Sequence, residues 1–322
     1  MQRKTELESI ELRLVQLEQE RKHLLLRKQA LISAMNDERR VVVNFTPEQK
    51  VHIFAELFRG RTDIYANRWQ NKQQRSGYSV ACHNEWQQGK CHKPKVKCTE
   101  CSYQAFKRLD HQAIYQHLSG KQSIGLYPLL EDDHCWLLVV DFDKSDWREA
   151  VTAFRKACHE WQLPCSVEIS RSGNGAHVWL FFDSPLLARD VRQLGFSLLD
   201  KAMSFHAGLS FESYDRLFPN QDVLPVGGFG NLIALPLQYG PRQNGNSVFV
   251  DEEFHAYFDQ WGYLAAIEKV TLKQVESCLN QKEMGIQVAS DLNLGKCHSL
   301  AIRRLLPAAL WKLLWCWQIV FI

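Results

Sequence analysis

The sequence predicts an α+β protein built around a strand–helix–strand–strand–helix core with one open sheet face. Three observations predict it. Apolar runs of strand length occur at CWLLVVDFD (135–143), SVEIS (166–170) and AHVWLFF (176–182), bounded by turn residues. Between the first two lies a helical pattern at 146–161, with Trp147, Ala150, Val151, Phe154 and Cys158 on one side. The tight Gly173-Asn174-Gly175 turn then joins the second and third strands. Helices that share one face of such a sheet leave the other open.

The remaining elements follow in chain order, and the chain divides into four segments. Within the 1–40 segment, residues 3–35 carry a heptad: Leu7, Ile10, Leu14, Leu17, Leu24, Leu31 and Met35 fall on alternating three- and four-residue steps, with Arg21 and Lys28 interrupting the seam. With no Gly or Pro before Pro47, this predicts a long helix that self-associates as a coiled coil, against the alternative of a charged helix lying on its own domain. Thr46-Pro47-Glu48-Gln49 supplies a capping hydroxyl, Pro at the first helical position and Gln at the third. It opens the 41–110 segment, whose helix ends near Gly60. The core is expected over 111–270. Within it GLYPLL (125–130) and CWLLVVDFD flank Glu131-Asp132-Asp133 as a hairpin. Ser184-Pro185 is expected to open a helix to about residue 207, and LIALPL (232–237) to form a buried strand. Residues 271–322 form a helical tail. Its stretch from Leu305 to Ile322 includes Pro307 and Lys312 and falls short of a membrane span of about 20 residues. With no secretory pattern at the N-terminus, the expectation is a cytoplasmic protein with no membrane partner.

Composition excludes a disordered or collagen-like chain, since 45% of the 322 residues are hydrophobic and 23% charged. The net charge of +3 conceals a division. Residues 59–109 hold eleven Lys/Arg against three Asp/Glu, and residues 110–322 hold eighteen against twenty-four. Cys82, Cys91, Cys98 and Cys101 lie within the basic stretch as C-x8-C-x6-C-x2-C, the composition of a structural Zn²⁺ site, with His83 and His92 as substitute ligands. Buried thiols are the alternative. Arg59, Arg61, Arg68, Lys93, Lys95 and Lys97, interleaved with Tyr65, Trp69, Tyr78, Trp86, Tyr103 and Phe106, suit single-stranded DNA or RNA, whose phosphates attract cations and whose bases stack on aromatic faces. Some of these aromatics are needed for the core of so small a module.

Three elements carry candidate chemistry. Asp141 and Asp143 close an apolar run two residues apart, so both carboxylates share one face at a strand end. Two like charges there favour a hard divalent cation. In Ser170-Arg171-Ser172-Gly173-Asn174-Gly175-Ala176-His177, the glycines permit close approach and the turn's N–H groups can form an anion nest. Ser172, Gly173, His177 and Arg171 are therefore candidate phosphate contacts. Asp215, in SYDRLFPNQD (213–222), is the candidate third carboxylate, with Asp222 in reserve.

The ordered set DFD, SGNGAHVW and YDRLFPNQD followed by GFGNLIALPLQ resembles the archaeo-eukaryotic primase superfamily, and especially the primase domain of TOTE conflict systems, over about residues 45–285. The Ser-Gly…His-x-Trp frame is also similar to the small catalytic subunit of replicative primases, with one residue fewer in the turn. The resemblance implies an RRM-like catalytic core with an accessory α/β unit. It implies Asp141, Asp143 and Asp215 as ligands of two Mg²⁺ or Mn²⁺ ions, and Ser172 and His177, assisted by Arg171, as contacts to an NTP or dNTP. The implied activity is template-directed nucleotidyl transfer to a 3′-OH or an initiating nucleotide. The alternatives are a catalytically inactive module that binds or senses single strands, and a metal-dependent nuclease. Domains of this kind commonly precede a helicase and effector segments; here those partners would sit in a separate chain, or the chain is a truncated or disabled form.

Overall fold

The computed structural model describes residues 44–143, 145–205 and 216–280, together with scattered positions of an N-terminal helix between Glu6 and Arg27. Helix α1 (Pro47–Leu57) opens on the predicted capping box, with Gln49 N–H donating to Thr46 Oγ1 and Thr46 N–H to Gln49 Oε1. A small antiparallel sheet follows, from β1 (Ala66–Gln70), β2 (Ser76–Val80), β3 (Ile124–Leu126) and β8 (Ile233–Ala234), in the order β2-β1-β3-β8. Helix α2 (His111–Leu118) lies between β2 and β3 in sequence.

The larger antiparallel sheet contains β4 (His134–Phe142), β5 (Ser166–Ile169), β6 (Ala176–Leu187), β7 (Arg216–Phe218) and β9 (Phe249–Val250), in the order β7-β4-β6-β5-β9. Helices α3 (Trp147–Glu160) and α4 (Ala188–Phe205) cover one of its faces. Phe154 of α3 meets Phe142 edge-on at 5.8 Å. On α4, Gly195 comes so close that a Cβ there would lie 2.8 Å from Leu217. Phe58, just past α1, packs edge-on against Trp179 at 5.1 Å and Phe181 at 5.4 Å on the opposite face. Each fully buried aromatic of this kind contributes about 1.5–3 kcal/mol of apolar burial. Short helices α5 (Tyr239–Arg242) and α6 (Gln260–Ala265) complete the chain order, and residues 272–280 are helical.

The mixed α/β class is as expected, but two local expectations are corrected. Segments 125–130 and 135–143 do not form a hairpin: β3 pairs with β1 and β8, while β4 pairs with β6 and β7 in the other sheet. Both edges of β3 are already taken, and Pro128 interrupts the chain before β4. Ser184-Pro185 does not open a helix either. Strand β6 runs on to Leu187, pairing Leu186 with Cys135 and Leu187 with His134 beyond a register shift in β4. At the shift, Pro185 is spared the ladder N–H it lacks.

Leu14, Leu17 and Leu24 of the heptad are helical and exposed. The heptad's other four positions, and the 305–322 stretch, lie outside the described residues. Among the described residues no helix is long and apolar enough to cross a membrane.

Candidate active site

A transverse row of four residues crosses the larger sheet. Glu168 of β5 is directly opposite His177 of β6, His177 is opposite Asp141 of β4, and Asp141 is opposite Arg216 of β7. The charges alternate in sign along it. His177 Nδ1–H donates to Glu168 Oε2 at 2.6 Å, and His177 Nε2 faces Asp141 Oδ1 at 3.5 Å. Burial disfavours the imidazolium, but the Glu168 and Asp141 carboxylates outweigh it and hold the His177 pKa above its ordinary value. The edge of Trp179, two residues along the same strand face, meets the imidazole at 6.1 Å.

Asp143 follows β4 and is exposed, whereas Asp141 is half-buried. The acidic pair and the glycine turn are held together by backbone contact: a Cβ on Gly175 would lie 2.5 Å from the Phe142 carbonyl oxygen and 3.0 Å from Asp143 Cα. Gly173 has φ +79, in the left-handed region that favours glycine. The turn's hydrogen bonds differ from an open anion nest. Gly173 N–H donates to Ser170 O at 3.0 Å and Asn174 N–H to Ser172 Oγ at 3.2 Å, so these two N–H groups shape the loop. The Arg171 guanidinium donates to Gln238, which ties the turn to the start of α5. Arg68, opposite Tyr78 on β1–β2, reaches the same junction: burial first, and then Arg68's charge, lower the Arg171 pKa. Two cations made to share a site suit an anionic ligand.

Asp215 lies outside the described residues, immediately before Arg216, which opens β7 opposite Asp141. Asp222 instead pairs with Arg192 of α4. Glu168 is the site residue that sequence reasoning missed. Its signal was a lone carboxylate in SVEIS, inside a strand whose four residues are all buried.

The cysteine module is anchored by Phe229, which meets Phe106 at 5.3 Å and Tyr127 at 5.9 Å. Cys82, Cys91, Cys98 and Cys101 are free, half-buried, and line one pocket; thiols are the donor type that Zn²⁺ takes, but no three of these sulfurs lie within 4.8 Å of one another. His83 and His92 are exposed. The cations separate by role. Arg61 is buried and bound to Asp63, Glu131 (3.0 Å) and the Gly228 carbonyl (3.2 Å), so an expected phosphate contact is committed to the fold. Lys93 pairs with Glu85 at 2.8 Å beside the pocket. Arg59 pairs with Glu56 and lies over Trp136 at 4.4 Å. Lys95 and Lys97 are exposed. Among the aromatics, Tyr65 is buried and Tyr78 and Phe106 are half-buried, whereas Trp69, Tyr103 and the 71%-exposed Trp86 face solvent.

Elsewhere, Asp251, Glu253 and His255 place ligand atoms within 4.8 Å of one another. Asp251 Oδ1 already accepts from the Glu253 and His255 N–H groups at 2.9 Å each, so a turn accounts for the cluster.

A mixed α/β fold with paired acids beside a histidine-bearing glycine hairpin defines a primase-like domain. The chain belongs to the family described as "TOTE conflict system, Archaeo-Eukaryotic Primase domain", whose model matches residues 49–278. No curated protein matches it. Among solved structures it is similar to the polymerase domain of Mycobacterium tuberculosis Ligase D, determined in complex with DNA. The identity is 12%, with 74% of this chain and 89% of that chain covered and a TM-score of 0.37, too loose a likeness to carry weight.

Proposed function

We propose that this domain is a primase-polymerase that transfers nucleotides from NTPs or dNTPs to a 3′-OH or an initiating nucleotide on a single-stranded template. The observation that carries the reading is the in-register approach of His177 to Asp141 at 3.5 Å, which supports His177 as a phosphate contact beside the first of the two acids.

Asp141 and Asp143 are oxygen donors at a strand end and fit hard divalent cations; with Asp215 they would hold Mg²⁺ or Mn²⁺. When bound, such ions neutralise the triphosphate and stabilise the attacking and leaving oxygens. The chain's own groups do the positioning. His177 Nε2 meets a phosphate oxygen, Ser172 Oγ and the Arg171 guanidinium bracket the triphosphate, and Arg68 adds charge from the small sheet. No side-chain nucleophile is required, because positioning and charge neutralisation dominate phosphoryl transfer. The cysteine module, with Zn²⁺ as its staple, holds the template through Lys95, Lys97 and the exposed faces of Trp69, Trp86 and Tyr103.

The test is incorporation on single-stranded DNA with NTPs or dNTPs, with and without primer. Asp141→Ala/Asp143→Ala should abolish synthesis and leave strand binding intact. Retained synthesis in that variant overturns the assignment, and a folded wild-type protein that binds strands but never incorporates is an inert primase-like module.

A further inference from the structure

Glu168 belongs to neither the acidic run nor the glycine turn, yet it forms the inner end of the row that reaches the candidate site. It is 2% exposed, where an ionised carboxylate is costly unless paired and hydrogen-bonded. Its Oε2 accepts a hydrogen bond from His177 Nδ1–H at 2.6 Å. That bond has a directional consequence. Rotation of an imidazole about its terminal torsion is soft, and a ring flip would exchange the nitrogen facing Asp141 for a carbon. With Nδ1–H tied to Glu168 and the Trp179 edge against the ring, one orientation survives, with Nε2 on the Asp141 side. The same logic operates where a second residue orients a ligating histidine.

We propose that Glu168 is the positioning residue of the nucleotide site, fixing the His177 ring so that Nε2 is aimed at the phosphates of the incoming triphosphate. This rests on the nucleotide-transfer reading above. Glu168 itself touches neither nucleotide nor template.

The experiment measures KM, kcat and the Kd of a non-hydrolysable triphosphate for the wild type, Glu168→Gln, Glu168→Leu, His177→Ala and the Glu168→Leu/His177→Ala double variant. Removing a residue that orients a metal-ligating histidine costs about 10- to 100-fold, and the same range is expected for one that orients a phosphate-binding histidine. Glu168→Leu should therefore raise KM and Kd by about that factor, with a smaller change in kcat and unchanged single-strand affinity. Glu168→Gln retains an acceptor oxygen and should stay within about threefold of wild type. In the His177→Ala background, Glu168→Leu should add less than about twofold, because its effect passes through the ring. Additive losses, or wild-type KM and Kd in a folded Glu168→Leu protein, overturn the proposal while leaving nucleotide transfer standing. A wild type that binds triphosphate without incorporating it overturns the transfer reading, and the Kd arm still decides on Glu168. A wild type that does neither overturns both. Should Glu168→Leu fail to fold, ¹⁵N shifts of the His177 ring in wild-type protein decide: a proton on Nδ1 is expected, and a bare Nδ1 overturns the proposal.

Discussion

Replacing Gly175 by alanine tests the close packing of the two motifs with the smallest available perturbation. The new Cβ would lie 2.5 Å from the Phe142 carbonyl oxygen and 3.0 Å from Asp143 Cα, both backbone atoms without rotamers to escape into. Ordinary contact begins at 3.4 Å, so the hairpin and the end of β4 must separate by about 0.9 Å, the difference between 3.4 and 2.5. Gly175 does not have a positive φ, so the cost is steric. Overpacking of this kind costs about 1–3 kcal/mol. A displacement of about 1 Å between a phosphate-binding group and the acidic pair costs about 100-fold in rate. Urea unfolding and single-turnover incorporation read the two effects separately. Gly240→Ala, where a Cβ meets nothing within 4 Å, is the control and should leave both unchanged. A Gly175→Ala protein within about 0.5 kcal/mol of wild type and fully active refutes the idea that this contact sets the spacing of the site.

Three further outcomes are expected. His117 is buried between the Pro236 carbonyl, to which Nε2–H donates at 2.8 Å, and the Ile124 N–H, which donates to Nδ1 at 3.1 Å. Burial pushes its pKa from 6.5 down to about 4. The unfolded chain therefore takes up a proton below about pH 6.5 that the folded chain refuses until about pH 4, and stability falls as pH drops through that window. The loss is worth up to about 3 kcal/mol; urea midpoints against pH should show it in wild type, and His117→Gln should remove that component. Purified protein should carry about one Zn²⁺ per chain by metal analysis, and Cys98→Ser/Cys101→Ser should lose it; less than about half an equivalent in the wild type counts against the site. Trp86→Ala should weaken single-strand binding by about 1–3 kcal/mol in fluorescence titrations with an unchanged salt slope, whereas Lys95→Ala/Lys97→Ala should flatten that slope by about 1.5.

The legible part of the fold was the part written in local pattern. Helix α1 announced itself through Thr46 and Gln49, and the β5–β6 hairpin through Gly173 and Gly175. Sheet membership was hidden, because whether β3 pairs with β4 or with β1 depends on partners far along the chain. Ser184-Pro185 misled because its helix-start signal competes with a strand continuation that only the Cys135–Leu186 pairing reveals. At the site, Asp141 stood out as a carboxylate closing an apolar run, and His177 as a polar residue just after a glycine turn. Glu168 did not, since its meaning lies in a cross-strand neighbour nine positions away. Likewise Arg61 and Arg68 have the same charge and similar sequence surroundings. Only burial and ion pairs distinguish the one that holds the fold from the one near Arg171.

The register shift between Cys135 and Leu137 has a bearing on how this architecture tolerates change. In a ladder, a one-residue slip would turn His177 toward the helices and Val178 toward the site. The six consecutive pairs from Leu137–Phe181 to Phe142–Ala176 are unbroken, and the irregularity sits at their remote end. Insertions near Ser184 can be taken up there as slack, so the far end of the hairpin is free to drift in length while the end bearing Asp141 and His177 keeps its phase.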